Sequence, residues 1–152
     1  MGISTNAIVR KDVTITDIEN LLTLKYEDVE LHKSIYTPNF FKITFKDGND
    51  DRQLSVSFSD SCERDYGIPG VWLSLGSWGN SIEIMKTLCE EFGGYLDEND
   101  CDGEGFYPIN LSRYLDSKVV TKMDKFKTKL ILEFGHDKLN SLIKLMEEYK
   151  NL

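Results

Sequence analysis

Residues 39–59 read NFFKITFKDGNDDRQLSVSFS. Phe41, Ile43 and Phe45 alternate with Lys42, Thr44 and Lys46, and after a break Leu54, Val56 and Phe58 alternate with Ser55, Ser57 and Ser59. A period of two is the side-chain repeat of a strand with one buried face. Asp47-Gly48 between the two runs is a strong turn dipeptide, so the stretch predicts an antiparallel hairpin.

Working outward, VWLSL at 71–75 has the same alternation, with Val71, Leu73 and Leu75 on one side and Trp72 and Ser74 on the other. NAIVR at 6–10 predicts a short first strand. It precedes VTITDIENLLTLKY, where Thr16 with Glu19 forms one possible capping box and Thr14 offers a second register in which Val13 staples onto Ile18. Either register turns Ile18, Leu21 and Leu22 inward. In GSWGNSIEIMKTLCEEFGG, Ile82, Met85, Leu88, Cys89 and Phe92 fall at helical spacing, Asn80 or Ser81 supplies the N-cap, and Gly93-Gly94 ends the helix. GFYPIN predicts a further strand kept at a sheet edge by Pro108. From about residue 121 two helices are expected, split at Gly135-His136, although KTKLILEF within the first also suits a strand. The expected order is β-α-β-β-β-α-β-α-α. This is a single α+β domain over residues 1–152, with an antiparallel or mixed sheet of about four to five strands and helices mainly on one face.

Charge is unevenly distributed. The net value is −8, yet residues 1–110 hold 9 Lys and Arg against 20 Asp and Glu, a formal −11, whereas residues 111–152 hold 9 against 6. A body this acidic repels phosphate backbones, so no direct nucleic-acid binding is expected. The C-terminal helix pair resembles a helix-turn-helix in outline only, because Glu147 and Glu148 offset Lys138, Lys144 and Lys150. No apolar run reaches membrane-spanning length, and MGISTNAIVRKDV lacks the sections of a signal peptide; the expectation is a cytoplasmic protein with no membrane contact.

The densest acidic stretch is YLDENDCDGEGFY at 95–107. Glu98, Asp100, Asp102 and Gly103 align with the first, third, fifth and sixth positions of an EF-hand loop, but the twelfth position is Ile109, where a bidentate Glu is required. No metal site is assigned. Acid/base catalysis needs two carboxyls with separated pKa values, which five similarly hydrated acids do not supply. Asp97, Glu98, Asp100, Asp102 and Glu104, with Tyr107 beside them, are instead assigned to contact with a protein partner that has a basic surface.

A second candidate site takes a small anionic, nucleotide-like ligand. GSWGNS at 76–81 leads from a strand into a helix N-terminus, a geometry that aims backbone N–H groups at phosphate. It fits neither the dinucleotide fingerprint nor the P-loop. The residues assigned to this site are Trp72, Ser77, Trp78, Asn80, Ser81 and Arg64. Cys62, Cys89 and Cys101 show no disulfide or zinc spacing, and His32 and His136 lie far from them, so no catalytic residue and no cofactor is assigned. Arg64 near Cys62 is the one feature that would favour a thiolate, but no base accompanies it, so Cys62 reads as a plain loop cysteine and Cys89 as a helix core residue. Abundant Lys, Asn and Asp with no catalytic signature suit a bacterial or phage accessory protein: a non-catalytic inhibitor, immunity protein or antagonist.

Overall fold

A computed structural model describes residues 4–98, 105–115 and position 144. Its elements run β1 (Ser4–Val9), α1 (Ile15–Lys25), β2 (Glu27–Lys33), β3 (Phe40–Asp47), β4 (Asp50–Ser57), α2 (Ser61–Tyr66), β5 (Val71–Gly76), α3 (Ser81–Phe92), β6 (Gly94–Asp97), β7 (Tyr107–Ile109) and α4 (Leu111–Leu115). The strands form one antiparallel sheet of seven in the order β2-β3-β4-β5-β1-β6-β7. The expected hairpin is β3–β4, with Asp47 paired to Asp50 and the loop shifted by one residue to Gly48-Asn49. Gly48 has φ 63. A positive φ at the first of two loop residues is the type II′ arrangement that matches strand twist, and glycine adopts it without a Cβ clash.

Four or five strands is therefore an undercount, by β2 and β6. Six of the seven β2 residues are exposed and the remaining one half-buried, so no apolar alternation marks the strand. In β6 all four are buried, so alternation is absent for the opposite reason. β7 is the far edge of the sheet and holds Pro108, as expected for a residue that cannot donate to a ladder.

The two long helices, α1 and α3, lie on one face of the sheet and the two short ones, α2 and α4, on the other. On one face, Ile18, Leu21 and Leu22 of α1 and Ile84, Met85, Leu88, Cys89 and Phe92 of α3 pack on sheet residues that include Ile43, Phe45, Leu54, Val56, Leu73 and Leu75. Thr14 caps α1: its hydroxyl accepts from Asp17 N–H while the Asp17 carboxylate accepts from Thr14 N–H. Val13 and Ile18 are both buried, so the stapled register is the one adopted, with Asp in place of the usual Glu. On the other face, short α2 and α4 cover one end of the sheet. Cys62, Ile68 and Tyr114 pack there on Ile8 and Tyr95. The Tyr114 hydroxyl donates to Pro69 O, and its ring meets Tyr95 edge-on at 5.6 Å. The expected C-terminal helices, and the helix-or-strand question over 121–134, lie outside the described residues.

Candidate functional site

The acidic stretch divides on folding. Asp97 ends β6 opposite Asn6 and is 1% exposed, so it belongs to the interior and not to an outer contact surface. Glu98 is half-buried; its Oε1 accepts from Tyr107 Oη at 2.8 Å and lies 3.9 Å from Lys86 Nζ. Burial, then this hydrogen bond, pushes the Tyr107 phenol up from its ordinary value. Glu98 and Tyr107 are thus brought together as a partly exposed pair at the β6 and β7 ends. Asp100, Asp102 and Glu104 lie outside the described residues. Among the described residues, no three His, Cys, Asp or Glu side chains group as ion ligands.

The six residues assigned to a small ligand do not converge. Trp72 and Trp78 flank opposite ends of β5, where the four steps from Trp72 to Gly76 span ~13 Å at ~3.3 Å each. Trp72 is half-buried, stacked on Tyr66 at 5.8 Å and met edge-on by Phe106 at 6.2 Å. Arg64 projects from α2, exposed, with Nε 3.4 Å from Asp65. Cys62, in the same helix, is 1% exposed, and burial pushes its thiol up to about 12. Cys62 therefore sits in a helix and not in the expected loop, and removal from water outweighs any help that Arg64 could give its thiolate.

At the other end, Ser77 is half-buried, and exposed Asn80 occupies the N-cap position of α3 with no side-chain cap bond, donating instead to Asp47 Oδ2 at 3.4 Å. Ser81 is 2% exposed and bonded to the Thr5 hydroxyl at 3.2 Å. Thr5 gives its one hydroxyl proton to Glu98 O, so Ser81 is the donor to Thr5 and its role is to tie α3 to β1. Trp78 alone of the six lines an open cavity of about 340 Å³, together with Arg52, Gln53, Ser55 and Ser74.

Arg52 is a residue the sequence reading passed over. It is 3% exposed, its guanidinium sits 3.8 Å from the centre of the Trp78 ring, and its two terminal nitrogens donate to Trp78 O at 3.0 Å and Gly76 O at 3.3 Å. Burial lowers its pKa from the ordinary value, with Asp47 and Asp50 acting in the opposite direction. The arginine holds the 76–78 turn against β4. A signal for it existed, since Arg52 occupies the same alternate set as buried Leu54 and Val56.

The two most exposed large apolar side chains among the described residues lie elsewhere, on the loop that follows β2, with less exposed Leu31 on the strand itself. Ile35 is 91% exposed, Tyr36 93% and Leu31 38%. β2 also carries exposed Glu27, Asp28 and Glu30. Asp28 has φ 53, and the register slips between Glu27 and Glu30, so a bulge sets Asp28 and Val29 against Phe45 alone. Glu27 lies opposite Lys46 in the register, and Glu30 Oε2 lies 3.7 Å from His32 Nε2. Two large apolar residues between Ser34 and Pro38, within a turn-rich segment, were the available sequence signal. No protein-family model, curated protein or solved structure matches the chain.

Proposed function

We propose that this chain is an acidic, non-catalytic binding protein of the inhibitor, immunity or antagonist kind that docks on a basic surface of a protein partner. The observation that carries the reading is the pair Ile35 and Tyr36, over nine-tenths exposed beside the acidic strand β2. Exposed tyrosine and aliphatic side chains inside a charged rim are the composition of protein-binding hot spots. The acidic body would speed and select the encounter. A binder is preferred to a thiol enzyme because Cys62 and Cys89 are both buried and their thiols are pushed up to about 12.

The test is affinity capture from cells that make the protein, at low and high salt, with Ile35→Ala/Tyr36→Ala and Asp100→Lys/Asp102→Lys beside the wild type. A partner retained at low salt, released at high salt and lost from the first variant is expected. Loss from the second variant alone would return the contact to the 98–104 stretch. Capture of no partner at either salt sinks the reading.

A second reading is favoured by the half-exposed Trp78 ring at the cavity mouth: a small ring-bearing ligand held there, not across all six assigned residues. Tryptophan fluorescence titrated with nucleotides, cyclic species included, tests it, and an unchanged signal throughout removes it.

A further inference from the structure

The outer side of β2 is the place where the sheet offers backbone as well as side chains. Ser34 N–H donates to Phe40 O, and Lys33 pairs with Phe41. In an antiparallel ladder, opposed residues alternate between those that exchange both backbone bonds and those that exchange none. Residues 34, 32 and 30 are therefore the bonding set toward β3. Leu31 and Lys33 turn their N–H and C=O groups away from the sheet. The neighbouring pair agrees with this phase: Phe58 N–H donates to Asn39 O, so the odd residues of β3 bond β4 and its even residues bond β2. Among the described residues no strand pairs with this outer side.

Edge strands are commonly blunted by bulges or charge. Here the bulge at Asp28 and Val29 blunts only the first half, and regular pairing resumes from Glu30 to Lys33. The regular half lies between exposed Glu27 and Asp28 on one side and exposed Ile35 and Tyr36 on the other, and within it Glu30 Oε2 is 3.7 Å from His32 Nε2. On the sheet surface Glu30 lies opposite Thr44, on the polar face, and Leu31 lies opposite Ile43, on the core face. A strand laid alongside would thus meet Glu30 and His32 on one of its faces and Leu31 and Lys33 on the other, on a strand whose three acids, Glu27, Asp28 and Glu30, outnumber its one lysine.

We propose that the outer edge of β2, from Glu30 to Lys33, takes an extended basic segment of a protein partner as an added strand. Its alternate Lys or Arg residues face Glu30 and its apolar residues continue the row of Leu31 toward Ile35 and Tyr36. The added strand bonds the outward N–H and C=O groups of Leu31 and Lys33, which pair with no strand among the described residues, the main-chain contribution that strand addition uses for affinity, while the alternate side chains set specificity. This rests on the protein-binder reading above and specifies its mode.

The probe is a blocked heptapeptide of alternating Lys and Val with Lys at both ends, with its Glu counterpart as control, titrated into the 15N-labelled full chain. The Lys peptide is expected to bind and to slow hydrogen exchange at the Leu31 and Lys33 amides, leaving Glu30 and His32 unchanged. Lys33→Pro removes an outward N–H without removing a bond to β3, which proline at an edge tolerates. It is expected to weaken the peptide about tenfold relative to Lys33→Ala, the loss of roughly one backbone hydrogen bond. Asp28→Asn/Glu30→Lys should weaken it as well, and Asn is chosen because it accepts the positive φ at that position.

Equal binding by Lys33→Pro and Lys33→Ala, with both folded by circular dichroism, overturns strand addition. So does failure of the Lys peptide to bind, or protection of both amides without peptide in a dimer seen by sedimentation, which would make a second copy the occupant. Undiminished salt-sensitive capture of a cellular partner by Lys33→Pro also overturns it while leaving the binder reading intact. Absence of any such partner overturns the binder reading instead.

Discussion

Replacing Arg52 by Met should cost about 2 kcal/mol of stability, a figure that follows from three contributions at that side chain. Methionine keeps the unbranched apolar stem, so the packing of the stem beside Phe45, its cross-strand neighbour, is largely retained. What is lost first is the pair of hydrogen bonds to Trp78 O at 3.0 Å and Gly76 O at 3.3 Å. A hydrogen bond to a charged group contributes ~1.5–3 kcal/mol. Gly76 and Trp78 are exposed, however, so water can reach the released carbonyls, and ~1–2 kcal/mol for the two together is the appropriate scale. The second loss is the guanidinium over the half-exposed Trp78 ring, ~0.5–1 kcal/mol. The third contribution has the opposite sign: burial lowers the Arg52 pKa, so removing the charge relieves part of its desolvation. The net of ~2 kcal/mol corresponds to a fall in Tm of roughly 4–8 °C for a chain of this size. Urea unfolding followed by tryptophan fluorescence, with far-ultraviolet circular dichroism as a second probe, measures it. A cycle with Trp78→Ala should return ~0.5–1 kcal/mol of coupling. A variant within 0.5 kcal/mol of the wild type, or more stable than it, would refute the reasoning and make Arg52 a side chain buried at no net gain.

Two further outcomes are expected. Gly93 has φ 75, and a Cβ there would press on Tyr114 N, on Arg113 C at 2.8 Å and on Asn110 O at 2.9 Å, so Gly93→Ala should lose about 3 kcal/mol or fail to accumulate as soluble protein; near-normal urea midpoints would contradict this packing of α4 on the α3 C-terminus. Burial raises the thiols of Cys62 and Cys89 from 9.0 to about 12. A raised folded-state pKa gives stability that is complete below the unfolded value and is lost as pH rises through the folded one, so the urea midpoint should fall between about pH 9 and 12, and fall less in Cys62→Ala/Cys89→Ala. A slope that the double substitution leaves unchanged would assign the loss to other groups, the tyrosines foremost.

The elements legible in the sequence are those with one face in water. β3, β4 and β5 each alternate apolar with polar residues, and α3 repeats its apolar residues at three- and four-residue steps, because each element buries one side only. β2 and β6 were not legible because neither sets one buried face against one in water. The first is exposed nearly throughout and the second buried throughout, so what makes them strands is pairing, with β3 for β2 and with β1 and β7 for β6. α2 is too short, at six residues, for its spacing to stand out.

The candidate sites divide in the same way. Residues 39–59 by themselves determined the hairpin and the side each residue faces, since alternation is a local property of the chain. Composition likewise determined the acidic charge of the body. Only the tertiary structure decided which polar residues stay in water: Asp97 is enclosed next to β1, Ser81 is drawn onto Thr5, and Arg52 is buried by the Trp78 ring and two turn carbonyls. Strand order was decided at the same level. It left β2 on the outside, where Leu31 and Lys33 turn backbone groups outward and Ile35 and Tyr36 stand exposed, because the free edge of a sheet depends on which strands pair and not on the residues of any one strand.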